Sequence, residues 1–232
     1  MKTYLHIKKS NPWNLCGFIF EGSMKKLIIL LLTSFSFATI INIPDDYSTI
    51  QEGIDASDNG DTVLVGTGTY LESLTITANN LTLGSLFLTS GDTSFVSQTI
   101  LDGNNLSRSV DIQSDHVNIV GFSIVNGFTY SGQSIDGRGA GIRAMGNLPV
   151  ISNCKFANNS TTYHDYGWGG AIYLENGGQI VNSSFIDNYA REGGGVFSRF
   201  GELFISECYF NNNSSNYFGN DIKTTDVSEV TI

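Results

Sequence analysis

The residues with the clearest potential for chemistry are two carboxylates, each predicted to lie beside an arginine. The strand pattern described below aligns Asp111 with Arg143 and places Glu175 next to Arg199. A glycoside hydrolase needs two carboxylates flanking one bond, about 5 to 9.5 Å apart. Asp111 and Glu175 are predicted to lie two strands apart on different rows of side chains, so ion pairing is the simpler interpretation. We therefore assign no catalytic residue.

Two aromatic-rich insertions form the candidate binding site. The repeats predict that the insertions, Gly127 to Gly137 and Ser160 to Trp168, leave the same corner of adjacent units and are therefore neighbours. Aromatic rings mixed with hydrogen-bonding groups suit a sugar ligand or a protein partner. The candidate binding residues are Tyr130, Arg143, Tyr163, His164, Tyr166, Trp168 and Tyr173.

Two other interpretations of these insertions stay open. The loops could simply pack on themselves and shield the side of the fold, since surface aromatic residues often serve packing alone. His164 and Asp165 could form a catalytic dyad, although the spacing places no nucleophile beside them. The sequence contains no Asp-rich calcium repeat, and we assign no metal site and no cofactor.

The element that must position these residues is a threefold repeat between Gly139 and Asn213. Three glycine-rich corners lead into Ile142, Ile172 and Val196, which are 30 and 24 residues apart. Each corner is followed by a phenylalanine, and an asparagine lies three residues after that phenylalanine. The pairs are Phe156 with Asn159, Phe185 with Asn188, and Phe210 with Asn213. Repeats of this length are typical of stacked units that share one core.

Alternation within the repeat identifies the unit as β structure. Apolar triplets recur at offsets of three and two residues, which predicts two short strands meeting at a one-residue bend. The bend positions are Gly121, Asn153, Asn182 and Glu207. Because no segment shows the period of a crossover helix, parallel strands must be reached by coiling the chain. We therefore predict an all-β fold, a parallel β-helix.

Rows of equivalent residues explain the composition of the corners. Asn159, Asn188 and Asn213 are predicted to form an asparagine ladder at a turn position that tolerates left-handed geometry. The glycine pairs suit a corner that needs positive φ or close backbone approach. Cys154 and Cys208 take one inward position two rungs apart, roughly 9.6 Å, which is too far for a disulfide.

The N-terminal region is predicted to be a secretory signal. Lys25 and Lys26 precede the apolar run Leu27 to Leu32, and a small-residue cleavage region ends at Ala38. Residues 24–38 are therefore predicted to be the signal peptide, and residues 1–23 an upstream mis-start or a leader. Residues 39–232 carry seven basic and 21 acidic residues, a formal charge of −14. This charge disfavours nucleic acid, and no membrane-spanning segment is predicted in the mature chain.

A short capping helix is predicted before the coils. Ser48 to Gln51 matches a capping box, followed by Ile54 on the face of Ile50, and Thr62 to Val65 is predicted as the first strand. The segment from Ile50 to Tyr70 resembles the opening of secreted right-handed β-helix proteins of the pectin-lyase-like superfamily. This resemblance implies that the predicted parallel β-helix is right-handed. Gly53 stands where that resemblance leads us to expect alanine.

The repeats downstream are similar to those of the polymorphic outer membrane protein family. The resemblance covers roughly a third of the chain and rests on the glycine corners and the Phe-x-x-Asn pairs. It implies a secreted or surface-displayed, non-catalytic, adhesin-like module that binds a glycan or a host or cell-surface protein. The alternative is a polysaccharide lyase or glycoside hydrolase of the pectin-lyase-like superfamily. Residues 39–232 are expected to form one domain, truncated at its C-terminal end.

Overall fold

The computed structural model describes residues 38–130, 137–162 and 166–231. The chain in these ranges is a right-handed parallel β-helix, as predicted from the repeats and the family resemblance together. Most of the predicted leader and signal peptide, residues 1–37, lies outside the described residues, as do Tyr163, His164 and Asp165. In the described part, no helix has the length and apolar character needed to cross a membrane.

The strands are short and follow one another around the coil. The first twelve, in chain order, are β1 (Ile40–Ile43), β2 (Thr62–Val65), β3 (Gly68–Tyr70), β4 (Leu74–Ile76), β5 (Thr82–Ser85), β6 (Thr99–Asp102), β7 (Val110–Ile112), β8 (Asn118–Val120), β9 (Ser123–Val125), β10 (Phe128–Thr129), β11 (Ile142–Asn147) and β12 (Val150–Ser152). The remaining twelve are β13 (Lys155–Ala157), β14 (Ser160–Thr161), β15 (Ile172–Asn176), β16 (Gly178–Val181), β17 (Ser184–Ile186), β18 (Tyr189–Glu192), β19 (Val196–Ser198), β20 (Gly201–Ser206), β21 (Tyr209–Asn211), β22 (Ser214–Phe218), β23 (Ile222–Thr224) and β24 (Val227–Thr231).

Equivalent strands of successive coils pair in parallel to form four sheets. Sheet A has the order β1-β2-β5-β8-β12-β16-β20-β24, and sheet B has the order β3-β6-β9-β13-β17-β21. Sheet C has the order β4-β7-β11-β15-β19-β23, and sheet D has the order β10-β14-β18-β22. Each full coil therefore visits sheets A, B and C, and the later coils add sheet D between B and C. A one-residue difference in this path would move every side chain to the other face, so the register fixes which residues are outside.

The one-residue bends and the stacked phenylalanines confirm the predicted register. Gly121, Asn153, Asn182 and Glu207 all have positive φ, between 49° and 80°, at the bend from sheet A to sheet B. Inside the coil, Phe185 lies between two other rings, with centroids 5.0 Å from Phe156 and 4.7 Å from Phe210. Interplanar angles of 3° and 8° show that the three rings are stacked. This stack lies in the apolar core that runs through the coils.

The asparagine ladder is present, with one correction to its geometry. Asn188 Nδ2 donates to Asn213 Oδ1 at 2.9 Å, and Asn159 Nδ2 donates to Asn188 Oδ1 at 3.0 Å. The left-handed residues are not these asparagines but their predecessors, Asn158, Asp187 and Asn212. The preceding residue makes the turn, and the ladder side chains thereby point inward, where they are buried.

Helix α1 (Ile50–Asp55) closes the first coil, as predicted, but its cap is one residue later than the sequence pattern indicated. Thr49, not Ser48, is the N-cap, and its partner in the capping box is Glu52, not Gln51. The side-chain amide of Gln51 instead accepts from Thr75 N at 2.8 Å and donates to Thr75 O at 3.1 Å. The Gln51 side chain thus caps the free edge of β4, because its amide makes the two hydrogen bonds that the backbone of a neighbouring strand would make.

Two further differences concern the first coil. The segment Thr62–Val65 is a strand as predicted, but it is the second strand of the chain. The first strand, β1, precedes α1 and pairs with Thr62–Val65 in parallel. At Gly53, a Cβ atom would lie 2.8 Å from Ile43 Cδ1, so the helix packs more closely on β1 than alanine allows without a shift.

A helical insertion between β5 and β6 is absent from the sequence prediction. It consists of α2 (Phe87–Ser90) and α3 (Ser94–Gln98). Two glycines of the coil make room for it: a Cβ at Gly84 would lie 2.7 Å from Leu88 Cδ2, and one at Gly121 would lie 2.8 Å from Phe87 Cβ. The insertion therefore packs directly on the outside of the coil where sheets A and B meet.

The two described cysteines match the predicted spacing. Cys154 and Cys208 are free thiols, and Ser183 takes the equivalent position on the coil between them. Ser183 Oγ accepts a hydrogen bond from Cys154 N at 3.1 Å. Burial raises the pKa of Cys154 to about 11, so this thiol stays protonated and unreactive at neutral pH.

Candidate functional site

The candidate site is the outer face of sheet C with the glycine corner that precedes it. We call this surface the sheet C face. Its residues form three rows across neighbouring coils. The corner row holds Arg138, Trp168, Glu192 and Phe218, and Arg108 contacts its backbone; the strand row holds Thr75, Asp111, Arg143, Tyr173, Phe197 and Lys223; the next outward row holds Gln113, Met145, Glu175, Arg199 and Thr225.

The first ion pair joins adjacent members of the strand row. Arg143 Nε donates to Asp111 Oδ1 and Arg143 Nη2 donates to Asp111 Oδ2, both at 2.6 Å. This two-point geometry is the strong form of an arginine–carboxylate contact. Burial alone raises the pKa of a carboxyl group, but hydrogen bonds from Arg143 and Gln113 outweigh it and hold the pKa of Asp111 below its ordinary value. Asp111 is therefore ionised, as the ion-pair interpretation predicts.

The second carboxylate is held by two arginines and a tyrosine. Glu175 lies 3.4 Å from Arg138 Nη1 and 3.4 Å from Arg199 Nη1. The Tyr173 hydroxyl also donates to Glu175 Oε2. Burial, followed by the contact with Glu175, raises the pKa of Tyr173 above its ordinary value, so the phenol keeps its proton. Glu175 is thus a fixed acceptor that orients two guanidinium groups.

Arg108 supports the corner from beneath. Its Nη2 donates to Arg138 O at 2.7 Å, and its Nε donates to Gly139 O at 2.9 Å. Burial lowers the pKa of Arg108 to about 10, and the positive charges of Arg143 and Arg138 act in the same direction. The side chain still carries its charge at neutral pH and fixes the backbone from which Arg138 extends.

Trp168 covers two buried rings of the strand row. Its ring lies 5.0 Å from that of Phe197 and 6.2 Å from that of Tyr173, nearly parallel to both. Tyr173 is 0% exposed and Phe197 is 1% exposed. Both point away from the coil interior, as alternation predicts, but Trp168 and the arginines enclose them. Tyr173 therefore forms the floor of the face beneath Trp168 and does not present its ring to solvent.

The predicted binding residues divide into three groups. Arg143, Trp168 and Tyr173 come together on the sheet C face, and Tyr166 reaches it by an edge-on contact with Trp168 at 5.3 Å. Tyr130 stacks on Phe128 at 6.1 Å, and this contact leaves Tyr130 45% exposed. Tyr163 and His164 lie outside the described residues. The two insertions meet at their ends, where Trp168 N donates to Gly137 O at 3.2 Å.

Arg138 and Arg108 are the members of the site that sequence reasoning missed. Arg138 lies four residues before Ile142, and Trp168 and Glu192 lie four residues before Ile172 and Val196. Aligning the corners at this offset identifies the corner row. Arg108 follows no such pattern, because the corner before β7 lacks the paired glycines.

Positive charge is concentrated on this face. Seven basic residues follow residue 38. Four of them belong to the three rows and a fifth, Arg108, contacts the corner row; the five are Arg108, Arg138, Arg143, Arg199 and Lys223. The same rows contain three carboxylates, Asp111, Glu175 and Glu192, so the formal charge of these eight residues is +2. Residues 39–232 as a whole carry 7 − 21 = −14. The face is therefore a cationic surface on an acidic protein.

A metal centre has no counterpart among the residues that the structure describes. In those ranges, no three His, Cys, Asp or Glu side chains are grouped so that they could hold a metal ion. The two carboxylates at the centre of the face are instead neutralised by arginine. What the arrangement can do is present guanidinium groups and an indole ring side by side.

Comparisons with known proteins identify the fold. No protein-family model matches the sequence. No curated protein matches it either. Among solved structures, the chain is similar to a PL6 alginate lyase in complex with a trisaccharide, with 18% identity and a TM-score of 0.52 over 77% of this chain. A pectin methylesterase in complex with a hexasaccharide matches with 14% identity and a TM-score of 0.40, over 77% of this chain and 67% of the esterase.

The similarity to the alginate lyase is one of fold, because 18% identity does not extend to the side chains of a site. The chain spans only 37% of the length of that alginate lyase. The parallel pairing of all four sheets and this similarity agree: the chain has the right-handed parallel β-helix fold of that lyase.

Proposed function

We propose that this protein binds an acidic polysaccharide along the sheet C face. The observation that carries the proposal is the concentration of five basic residues on one face of a chain whose net charge is strongly negative. An anionic polymer is repelled by the acidic surface elsewhere and attracted here. The proposal keeps the glycan partner predicted from the aromatic insertions and adds the sign of the ligand's charge.

The chemistry of the face suits sugar carboxylates. Guanidinium groups bind carboxylates through paired, charge-assisted hydrogen bonds. Glu175 and Asp111 hold three of them, Arg138, Arg143 and Arg199, in fixed orientations, which lowers the entropy cost of binding. Arg199 is the most exposed of the three, with 37% of its side chain accessible. Trp168 adds an apolar ring on which a sugar can stack.

Rows of side chains match a polymer better than a single small molecule. Neighbouring coils are about 4.8 Å apart, so Arg143 and Lys223 in the strand row are separated by about 14 Å. A chain with repeated carboxylates can therefore contact several coils at once. The alginate lyase of similar fold binds a trisaccharide, which is consistent with this use of a β-helix. The adhesin-like interpretation, with a host protein as partner, has no support from the comparisons.

A polysaccharide lyase is the second candidate, favoured by the similarity to the alginate lyase. Elimination needs a base beside the uronate carbon and an acid for the departing oxygen. Among the described residues of the face, Tyr173 is buried, and the Arg143 guanidinium is engaged by both carboxylate oxygens of Asp111. These contacts favour binding over proton transfer, so binding is the main proposal.

Calorimetric titration with oligo-alginate and oligogalacturonate tests the proposal. We expect both oligouronates to bind to the sheet C face. Neutral dextran oligosaccharides of equal length should bind to this face at least tenfold more weakly. Arg199→Gln is expected to weaken oligouronate binding about tenfold, the loss of one charge-assisted contact. Lys155→Gln removes the same charge from sheet B and should change the affinity less than twofold.

Two further measurements accompany this titration. Binding should weaken as salt rises from low to physiological concentration, because the attraction is ionic. Ultraviolet absorbance of unsaturated uronate ends distinguishes the two candidates: steady product formation identifies a lyase, and binding without product identifies a binding protein. Equal affinity of the sheet C face for oligouronates and for dextran oligosaccharides, or equal losses of oligouronate affinity in Arg199→Gln and Lys155→Gln, would contradict the proposal.

A further inference from the structure

A second groove lies on a different side of the coil, between α3 and the outer face of sheet B. Its volume is about 370 Å³. We call it the sheet B groove. It is lined by residues of α3, of the bend between sheets A and B and of sheet B, among them Val96, Asn153, Lys155, Asn182, Ser184 and Tyr209. None of these residues belongs to the sheet C face, so the groove is separate from the proposed polysaccharide site.

The floor and one wall of the groove are well defined. The floor is one outward row of sheet B, in which Ser123, Lys155, Ser184 and Tyr209 occupy equivalent positions on four successive coils. The wall is α3, which is attached to that floor because Ser123 Oγ donates to Val96 O at 2.8 Å. The row extends past the helix, so its later members are open to solvent while the first is covered.

A rim of the groove, at the bend between sheets A and B, carries amide groups in constrained backbone positions. Asn153 and Asn182 have φ values of 54° and 49° at the bend, which fixes the direction of their side chains. Asn182 Nδ2 donates to Asn153 Oδ1. The other atoms of the two amides, Asn153 Nδ2 and Asn182 Oδ1, are then a donor and an acceptor for a ligand.

Tyr209 supplies the apolar surface of the groove. It is 59% exposed at the last coil of the row. The groove also contains one cation and one anion, Lys155 and Glu207, so its formal charge is zero. A ring to stack on, amides, hydroxyl groups and no net charge are the features that bind the hydroxyl-rich faces of an uncharged sugar.

We infer that the sheet B groove is a binding site for a short neutral oligosaccharide, independent of the anionic polymer proposed for sheet C. The row from Ser123 to Tyr209 spans three coil-to-coil steps, about 14 Å. The ligand therefore stacks one sugar on Tyr209, forms hydrogen bonds to Asn153 and Asn182, and ends against α3. A polypeptide with one glycan-binding site on one face and a second site on another face can join two polymers.

The test is calorimetric titration of the whole chain with neutral cello-, xylo-, manno- and laminari-oligosaccharides. At least one series is expected to bind with a stoichiometry of one. Tyr209→Ala and Asn182→Gly should each weaken that binding at least tenfold. Glycine is chosen for position 182 because it accepts the positive φ. The matched control is Tyr217→Ala: Tyr217 is 60% exposed but lies on sheet D, so binding should change less than twofold.

A competition experiment separates this inference from the proposed function. Saturating oligo-alginate should leave the affinity for the neutral oligosaccharide unchanged, since the two sites lie on different sheets. Binding that survives in Tyr209→Ala but is lost in Trp168→Ala would place the ligand on sheet C and overturn the inference. Failure of every neutral series to bind would overturn it as well, whatever the result with oligouronates.

Discussion

Replacing Phe185 with alanine is expected to lower the free energy of unfolding by about 3 to 5 kcal/mol. Phe185 is fully buried between Phe156 and Phe210 in the stacked core. Removing its ring leaves a cavity whose floor and ceiling are the two neighbouring rings. Those rings belong to adjacent coils whose separation is fixed by backbone hydrogen bonds, so the space cannot close.

Equilibrium unfolding in denaturant measures this loss, with Tyr209→Ala as the control. Tyr209 lies one position before the third ring of the stack but faces solvent, so its truncation should cost less than about 1 kcal/mol. If Phe185→Ala also cost less than about 1 kcal/mol, the side chain would not lie inside the coil, and the register of sheet B would be wrong.

Asn188→Ala is expected to lower the free energy of unfolding by about 2 to 5 kcal/mol, because it removes the central member of a buried ladder. The Asn188 side chain accepts from Asn159 N at 3.0 Å and donates to Phe156 O at 3.1 Å. Alanine leaves these backbone groups without that partner in a site that water does not reach, since Asn159 and Asn188 are 0% exposed. Each stranded buried group costs roughly 1 to 3 kcal/mol.

The control for this ladder variant is Asn182→Gly. Asn182 also bonds to its neighbour along a row of asparagines, but its side chain is exposed to water, which can replace the lost contact. Glycine keeps the left-handed backbone, so the cost should stay below about 1 kcal/mol. Similar losses in the two variants would mean that burial does not decide the contribution of these ladders.

The fold could be predicted from the sequence because the spacing of the repeats determines which residues are aligned on neighbouring strands. Phe156, Phe185 and Phe210 fall at one position only if the strands are parallel and coiled, and the structure stacks them. The helices α2 and α3 were missed because they are four and five residues long, too short to show a helical period. The trace that these helices leave in the sequence is the glycine at positions 84 and 121, where a larger side chain would collide with α2.

Only part of the candidate site could be predicted from the sequence. Alternation places Asp111, Arg143 and Tyr173 in one outward row, and the structure confirms that row. Alternation gives the direction of a side chain and not what covers it, so the burial of Tyr173 beneath Trp168 could not be predicted. The capping box was displaced by one residue because Ser48 and Thr49 both fit the N-cap preference, and Glu52 decides between them.

The fluorescence of Trp168 during titration with an oligouronate reports directly whether the polymer binds to the sheet C face. The chain contains two tryptophans, so in a Trp13→Phe variant the emission comes from the sheet C face alone. We expect a saturable change in emission with oligo-alginate or oligogalacturonate, a weaker response as salt rises, and no change with the neutral oligosaccharides that occupy sheet B. If calorimetry detected oligouronate binding while the emission of Trp168 stayed constant, the polymer would lie elsewhere, and the assignment of the sheet C face as its binding site would be contradicted.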